Sequence, residues 1–310
     1  MSDPRSPTVV FETLHGSRAY GLAREGSDTD LKGVVVGPRA WYFGFEAAPE
    51  QIELGPDHVR YEVRKLLRLA AASNPSILEI LFADEADHRV VTPAGEKLLA
   101  ARPKMLSQRV ADTFGGYALS QLARIRRHRR WLLEPPEHEP TRADFGLPER
   151  AVIPRDQLGA AEALQARGAL SDDELSPRFL AILDRERRYR AARKEWTQYR
   201  HWQTHRSPAR AALEAAHGYD TKHAMHLVRL SRMAVEILAT GRVRVRRDHD
   251  RDELLAVRDG AWTYDELMAE VDALKAAIRD AKAKSTLPEV PDEEALNAAS
   301  VAIVGEVLGC

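Results

Sequence analysis

The stretch that most constrains this chain is an apolar run, Thr8-Val9-Val10-Phe11-Glu12-Thr13-Leu14, followed by His15-Gly16-Ser17 and then by Asp28-Thr29-Asp30 leading into Val34-Val35-Val36. The apolar run reads as a buried strand. A Gly-Ser turn at its end exposes backbone N–H groups and a hydroxyl without side-chain bulk, which suits a phosphate and makes Gly16 and Ser17 candidate phosphate contacts. Asp28 and Asp30 stand two residues apart in a segment that continues as a strand, so the sequence predicts both carboxylates on one face. Paired hard oxygen ligands suit Mg²⁺, which is held by carboxylates together with substrate phosphates. Alone, a Gly-Ser turn or an Asp-x-Asp is a common turn or strand end. Their succession, strand, bend, short helical link and Asp-x-Asp on a second strand, points to phosphoryl or nucleotidyl chemistry.

The remaining composition narrows the class. A chain of 310 residues, 44% of them apolar, can bury a sizeable core in one large domain or two ordinary ones. No window approaches a membrane-spanning length, and Met1–Pro7 has no apolar segment, so a cytoplasmic protein with no membrane partner is expected. The single cysteine, Cys310, is expected to be an exposed terminal residue, in keeping with a reducing compartment. Net charge is −1, yet arginines cluster. Arg124, Arg126, Arg127, Arg129 and Arg130 form a run with no interspersed acid, ending at Trp131. Such a run can grip phosphates while the aromatic ring stacks on a base, or it can be a solvated face.

Strand patterns are confined to the first third of the chain. Gln51–Leu54 alternates like an edge strand, and His58–Glu62 is a further short strand. Val63–Ala72 has helical spacing, stopped by Asn74-Pro75, and Pro75 can open a helix over Ser76–Phe82. Beyond Pro103 the pattern is helical: Met105–Trp131 with a kink or close approach at Gly115-Gly116, Leu175–Arg206, and Tyr219–Thr240 closed by Gly241. A helix from the capping box Thr263-Tyr264-Asp265-Glu266 to about Lys284, then Glu293–Leu308, complete it. The expected fold class is α+β, a small mixed sheet with flanking helices over residues 1–104, plus an all-α C-terminal domain over residues 105–310 that completes a nucleotide cleft.

The words Gly16-Ser17-Arg18-Ala19-Tyr20-Gly21-Leu22 and Ser27-Asp28-Thr29-Asp30-Leu31-Lys32-Gly33-Val34 resemble the signature of the DNA polymerase beta superfamily of nucleotidyltransferases. More narrowly they resemble its RlaP branch, of RNA repair pathways. The resemblance implies an α/β-type nucleotidyltransferase core and transfer of a nucleoside monophosphate from ATP or another nucleoside triphosphate to an RNA end. Two Mg²⁺ ions, replaceable by Mn²⁺, would serve that reaction. It also implies a third catalytic and metal-binding carboxylate on a later strand. Asp57 and Glu62 are the candidates; Asp57 is preferred because the branch has an aspartate before a stretch like Tyr61-Glu62-Val63-Arg64-Lys65. Glu79 is a further candidate, or a packing residue.

Positive charge is needed on the triphosphate as well. Lys222, in Tyr219-Asp220-Thr221-Lys222-His223-Ala224-Met225-His226, matches a helical-domain lysine of the superfamily. With His226 and Arg229 it forms a polar stripe that faces either the cleft or water. His223 and His226 lack a third clustered ligand, which excludes zinc. Ser120 contacts the nucleotide or bonds its own backbone. Arg18 reaches the γ-phosphate or an RNA phosphate, whereas Tyr20 packs against the sheet. Trp41-Tyr42-Phe43-Gly44-Phe45 is a base platform or a domain contact. Arg124, Arg126, Arg127 and Arg130 are expected to carry the acceptor backbone. Nucleotidylation of a small molecule or a protein uses the same metal site and stays open. So does a non-catalytic nucleotide- or RNA-binding module, against which the intact Asp28 and Asp30 argue. No motif encodes an oligomeric state.

Overall fold

The computed structural model describes residues 6–45, 47–151, 159–160, 163–164 and 177–309. Cys310, residues 1–5 and the expected start of the helix at Leu175 lie outside the described residues. The strands are β1 (Thr8–His15), β2 (Asp30–Val36), β3 (Gln51–Gly55), β4 (His58–Glu62) and β5 (His88–Val91). They form one five-stranded sheet in the order β3-β4-β2-β1-β5. Every neighbouring pair is antiparallel except β2 and β4, which run parallel. The two most apolar strands lie in the centre, where Val10, Phe11, Val34, Val35 and Val36 are buried. β3 is an edge strand, as its alternation predicts.

The helices are α1 (Gly16–Ala19), α2 (Ala40–Phe43), α3 (Val63–Ala71), α4 (Pro75–Leu81), α5 (Pro93–Ala100), α6 (Arg109–Leu133), α7 (Pro177–His205), α8 (Pro208–His217), α9 (Thr221–Thr240), α10 (Arg251–Arg258), α11 (Tyr264–Lys284) and α12 (Glu293–Leu308). Their starts follow from local capping chemistry. Asn74, Thr92, Asp220 and Asp292 each accept a backbone N–H of the first turn. Thr263 and Glu266 complete the predicted capping box of α11. Gly241, at φ +66°, closes α9 in the left-handed region that glycine enters freely.

Packing divides the described chain into two compact units. The first comprises the chain up to Arg126 together with the chain from His217 onward. In its core, Phe11 and Val34 of the sheet meet Leu66, Leu78, Leu98 and Phe114, and also Leu230, Ile237, Leu296 and Ile303 from the distant C-terminal helices. The second unit, Arg127–Ala216, is centred on buried Trp131, Tyr199 and Trp202. The fold class is therefore α+β with a helical C-terminal region.

Three local expectations are corrected. α6 starts at Arg109 because Arg102–Met105 winds as a 3₁₀ turn. It is continuous through Gly115-Gly116, where an added Cβ would meet nothing within 4 Å, so these glycines mark open space and not a close approach. Trp131 is no free stacking ring: it is buried, 5.5 Å from the Trp202 ring and 5.7 Å from Tyr199.

Candidate active site

β1 ends at His15, which pairs with Asp30, the first residue of β2. Between them the chain turns at Gly16, whose φ is +68°. A Cβ built there would lie 2.2 Å from Asp30 Oδ2, so only glycine lets this carboxylate close on the main chain. Gly16 O and Ser17 O accept from Tyr20 N (3.0 Å) and Leu22 N (2.8 Å), and no side chain caps the α1 turn. Exposed Arg18 donates from Nε to Asp28 O (3.2 Å) and from Nη2 to Ser27 O (2.7 Å). Its guanidinium thus clamps the loop that carries Asp28, using neutral acceptors that leave its charge in place. Only Asp30 belongs to the strand; exposed Asp28 lies in the non-strand residues just ahead of it.

The parallel register separates the two candidates for a third carboxylate. Leu31 stands opposite His58, and Leu31 N donates to Asp57 O at 2.8 Å. Asp57 is therefore level with Asp30 at the same end of the sheet. Glu62 is level with Val35, five residues further along the register and about 17 Å away at the usual rise per residue. Glu62 is also engaged: it accepts from the Arg64 and Lys65 amides as the N-cap of α3, from Arg64 Nε (3.0 Å) and from Tyr42 Oη (3.0 Å). The rest of the aromatic word disperses. Trp41 fills the space beside Gly37, while Phe43 and Phe45 are exposed.

Among the described residues, Asp28, Asp30 and Asp57 do not bring three oxygens within 4.8 Å of one another. The donor set nevertheless fits Mg²⁺. It is oxygen only, and the missing side chain at Gly16 lets Asp30 Oδ2 lie against the bend.

Behind the bend lies a buried network absent from the sequence reading. Glu79 on α4 accepts from Tyr20 Oη at 2.6 Å and from Arg229 Nη1 of α9, and His15 Nε2 is 3.6 Å away. The Arg229 guanidinium sits 3.7 Å from the centroid of the Tyr20 ring. Burial by itself would raise the Glu79 carboxyl, but Arg229 and His15 hold it well below the usual carboxylate range. Burial, with the Glu79 charge, pushes the Tyr20 hydroxyl well above its ordinary value. Arg229 Nη2 donates to His226 Nδ1 at 3.0 Å. Since arginine only donates, the His226 proton is on Nε2. Burial and the Arg229 charge push His226 down to about 3, so this ring is neutral.

The expected polar stripe on α9 therefore divides. Lys222 is exposed, with no ion pair among the described residues, whereas Arg229 is fully buried. α6 runs beside it: the Tyr117 ring meets His226 edge-on at 5.8 Å, and Arg124 Nη1 is 3.1 Å from His223 Nε2. Exposed Ser120, between them on α6, donates to Tyr117 O at 2.6 Å, the backbone bond of its alternative reading. Tyr117 was missed because a lone exposed tyrosine on a helix carries no local signal.

The basic run does not make one face. Residues on a helix turn by about 100° each, which sets Arg124 apart from Arg126 and Arg130. Arg126 Nη2 is 3.7 Å from Met268 Sδ. Arg127 donates to Gln198 Oε1 at 2.7 Å, and Arg130 is ion-paired with Glu195. The run's lack of acids in sequence is made good from α7.

Residues 4–133 match the family model described as "RlaP: RNA repair pathway DNA polymerase beta family". The chain is also 36% identical over 91 residues to the "Uncharacterized protein YcgL" of Bacillus subtilis (strain 168). That match covers 28% of this chain and 35% of the Bacillus protein, so it spans about a third of that relative's length. No solved structure matches the chain. Among the described residues no helix is long and apolar enough to cross a membrane.

Proposed function

We propose that the protein transfers a nucleoside monophosphate from a nucleoside triphosphate to the hydroxyl of an RNA end, a reading supported by the match of residues 4–133 to the RNA repair pathway DNA polymerase beta family model. The observation that carries this reading is the close approach of the Asp30 carboxylate to Gly16, where an added Cβ would lie 2.2 Å from Asp30 Oδ2, with Asp57 level with it on the neighbouring parallel strand. An acidic edge and a bend of uncapped amides meet there, which is what a metal-bound triphosphate requires. Asp28, Asp30 and Asp57 would hold Mg²⁺. When bound, Mg²⁺ would neutralise phosphate charge and acidify the attacking hydroxyl.

The chain's own groups do the rest. Gly16 and Ser17 offer their amides, and Ser17 its hydroxyl, to the phosphates. Arg18 fixes the loop bearing Asp28 and adds positive charge. Lys222 adds a mobile cation from α9. Attack on the α-phosphorus expels pyrophosphate without a covalent enzyme intermediate, so positioning and charge supply the acceleration. The test incubates the full chain with Mg²⁺ or Mn²⁺, each labelled nucleoside triphosphate, and RNA, DNA and small acceptors. Labelled RNA is expected with the wild type and none with Asp28→Asn or Asp30→Asn at unchanged Tm. Transfer that survives in Asp30→Asn overturns the proposal.

A further inference from the structure

We propose that Asp220 and His223 are positioning residues that hold Arg124 ready for a phosphate group of the substrate, a step that rests on the nucleotidyl-transfer reading. Arg124 is exposed on α6 and donates from Nη1 to His223 Nε2 at 3.1 Å. A guanidinium has no acceptor, so Nε2 carries the lone pair and the ring proton sits on Nδ1. That nitrogen is 2.7 Å from Asp220 Oδ2, to which it donates. The other carboxylate oxygen, Oδ1, accepts the His223 backbone N–H at 3.0 Å and caps α9. Asp220 is 1% exposed and His223 9%, so the relay is locked by burial.

The consequence is electrical. Arg229 meets Glu79, Arg130 meets Glu195, Arg142 meets Glu186, and Arg247 meets Glu236 and Asp250; in each case a carboxylate cancels the charge directly. Arg124 is instead oriented by a neutral ring, with the carboxylate one residue behind it. Its direction is fixed while its charge stays available to an anion. Lys222, exposed beside His223, is a second available cation. One turn back on α6 lies the Ser120 hydroxyl, and two turns back the Tyr117 ring. Two cations, a hydroxyl and an aromatic face suit a nucleotide phosphate with its base. The phosphate can belong to an RNA strand or to the nucleoside triphosphate.

Two binding titrations on the full chain distinguish the sources: a labelled RNA oligonucleotide without nucleotide, and each nucleoside triphosphate with Mg²⁺ but without RNA. Asp220→Asn keeps an oxygen for the cap but offers His223 an amide donor. The ring proton then moves to Nε2, facing the donors of Arg124. Arg124→Ala and Asp220→Asn are expected to weaken the same ligand by about tenfold at unchanged Tm. His223→Gln, whose amide oxygen can accept from Arg124, should bind better than His223→Leu. If RNA is the ligand, the slope of log affinity against log salt falls by about 0.7. Wild-type binding of both ligands by Arg124→Ala, or by folded Asp220→Asn and His223→Leu, overturns the proposal. Should Asp220→Asn fail to fold, equal binding by the two His223 variants overturns it. Loss of binding in these variants of a protein that transfers no nucleotide would retain the relay and remove the transfer reading.

Discussion

A side chain at Gly16 is excluded on two independent grounds. Its φ of +68° costs a non-glycine residue about 1 kcal/mol, and a Cβ would lie 2.2 Å from Asp30 Oδ2. The first effect is thermodynamic and small; the second displaces a carboxylate that must hold its place to within a fraction of an ångström. Gly16→Ala is therefore expected to lower Tm by a few degrees and transfer by orders of magnitude, both measured on one preparation. Near-normal transfer would mean that Asp30 does not act at the bend. His226 gives a second prediction of the same scale. Its pKa is lowered from 6.5 to about 3 on folding, so between those values the unfolded chain binds a proton that the folded chain refuses. Stability thus falls as pH falls through this window, by about 2 kcal/mol between pH 7 and pH 5. Urea unfolding at the two pH values measures it, and His226→Gln should flatten the difference. The bend and Asp30 were legible because glycine beside serine after an apolar strand has few other uses. The Tyr20–Glu79–Arg229 network was not, because its ion pair joins residues 150 apart in sequence and neither partner lies in an unusual local context.

Between elements, that same ion pair ties α4 to α9, with Glu79 2% exposed and Arg229 fully buried. Removing one partner strands a buried charge, whereas removing both removes the desolvation cost as well. Glu79→Leu or Arg229→Met alone is expected to destabilise by about 3–5 kcal/mol, and the double variant by clearly less than either. Denaturant melts of the four proteins form the cycle. A double variant no more stable than the singles would show that the shape of the pair matters, not its charge. Transfer should stay impaired in the double variant, since Tyr20, between the bend and Glu79, has lost its acceptor. The helices themselves were legible where caps and punctuation mark them: Asn74-Pro75, the Thr263 box and Gly241 each act on their own few residues. α10 carried no comparable signal, whereas the Ser207-Pro208 start of α8, where Ser207 Oγ accepts from Arg210 N, was overlooked. The partners of the Arg124–Arg130 run were hidden for a related reason. Charge density along a sequence is one-dimensional, and the groups that engage it, the neutral Gln198 on Arg127 and the carboxylate of Glu195 on Arg130, sit on another helix.

For the whole molecule, the decisive fact is where the core is completed. Leu296 and Ile303 of α12 and Ile278 of α11 lie in the same apolar cluster as Phe11 and Val34 of the sheet, and α12 packs on α3 and α5. No pattern in residues 1–104 announces that their apolar surface needs these helices, since amphipathic spacing reveals that a face is buried and not what buries it. The acidic edge of the sheet therefore depends on residues more than two hundred positions away. Ile303 is fully buried, and Ile303→Ala should cost about 2–4 kcal/mol through lost contact and the cavity left behind. At a temperature where the wild type is fully folded, transfer should fall in step with the folded fraction. At a lower temperature, where the variant is folded too, the rate per folded molecule should match the wild type. A fragment of residues 1–104 should bury too little apolar surface to fold, showing neither a cooperative melt nor nucleotide binding. Circular dichroism melts of both proteins, read beside nucleotide titrations, decide the point. A fragment that melts cooperatively would prove the sheet self-sufficient and reduce α12 to a cover.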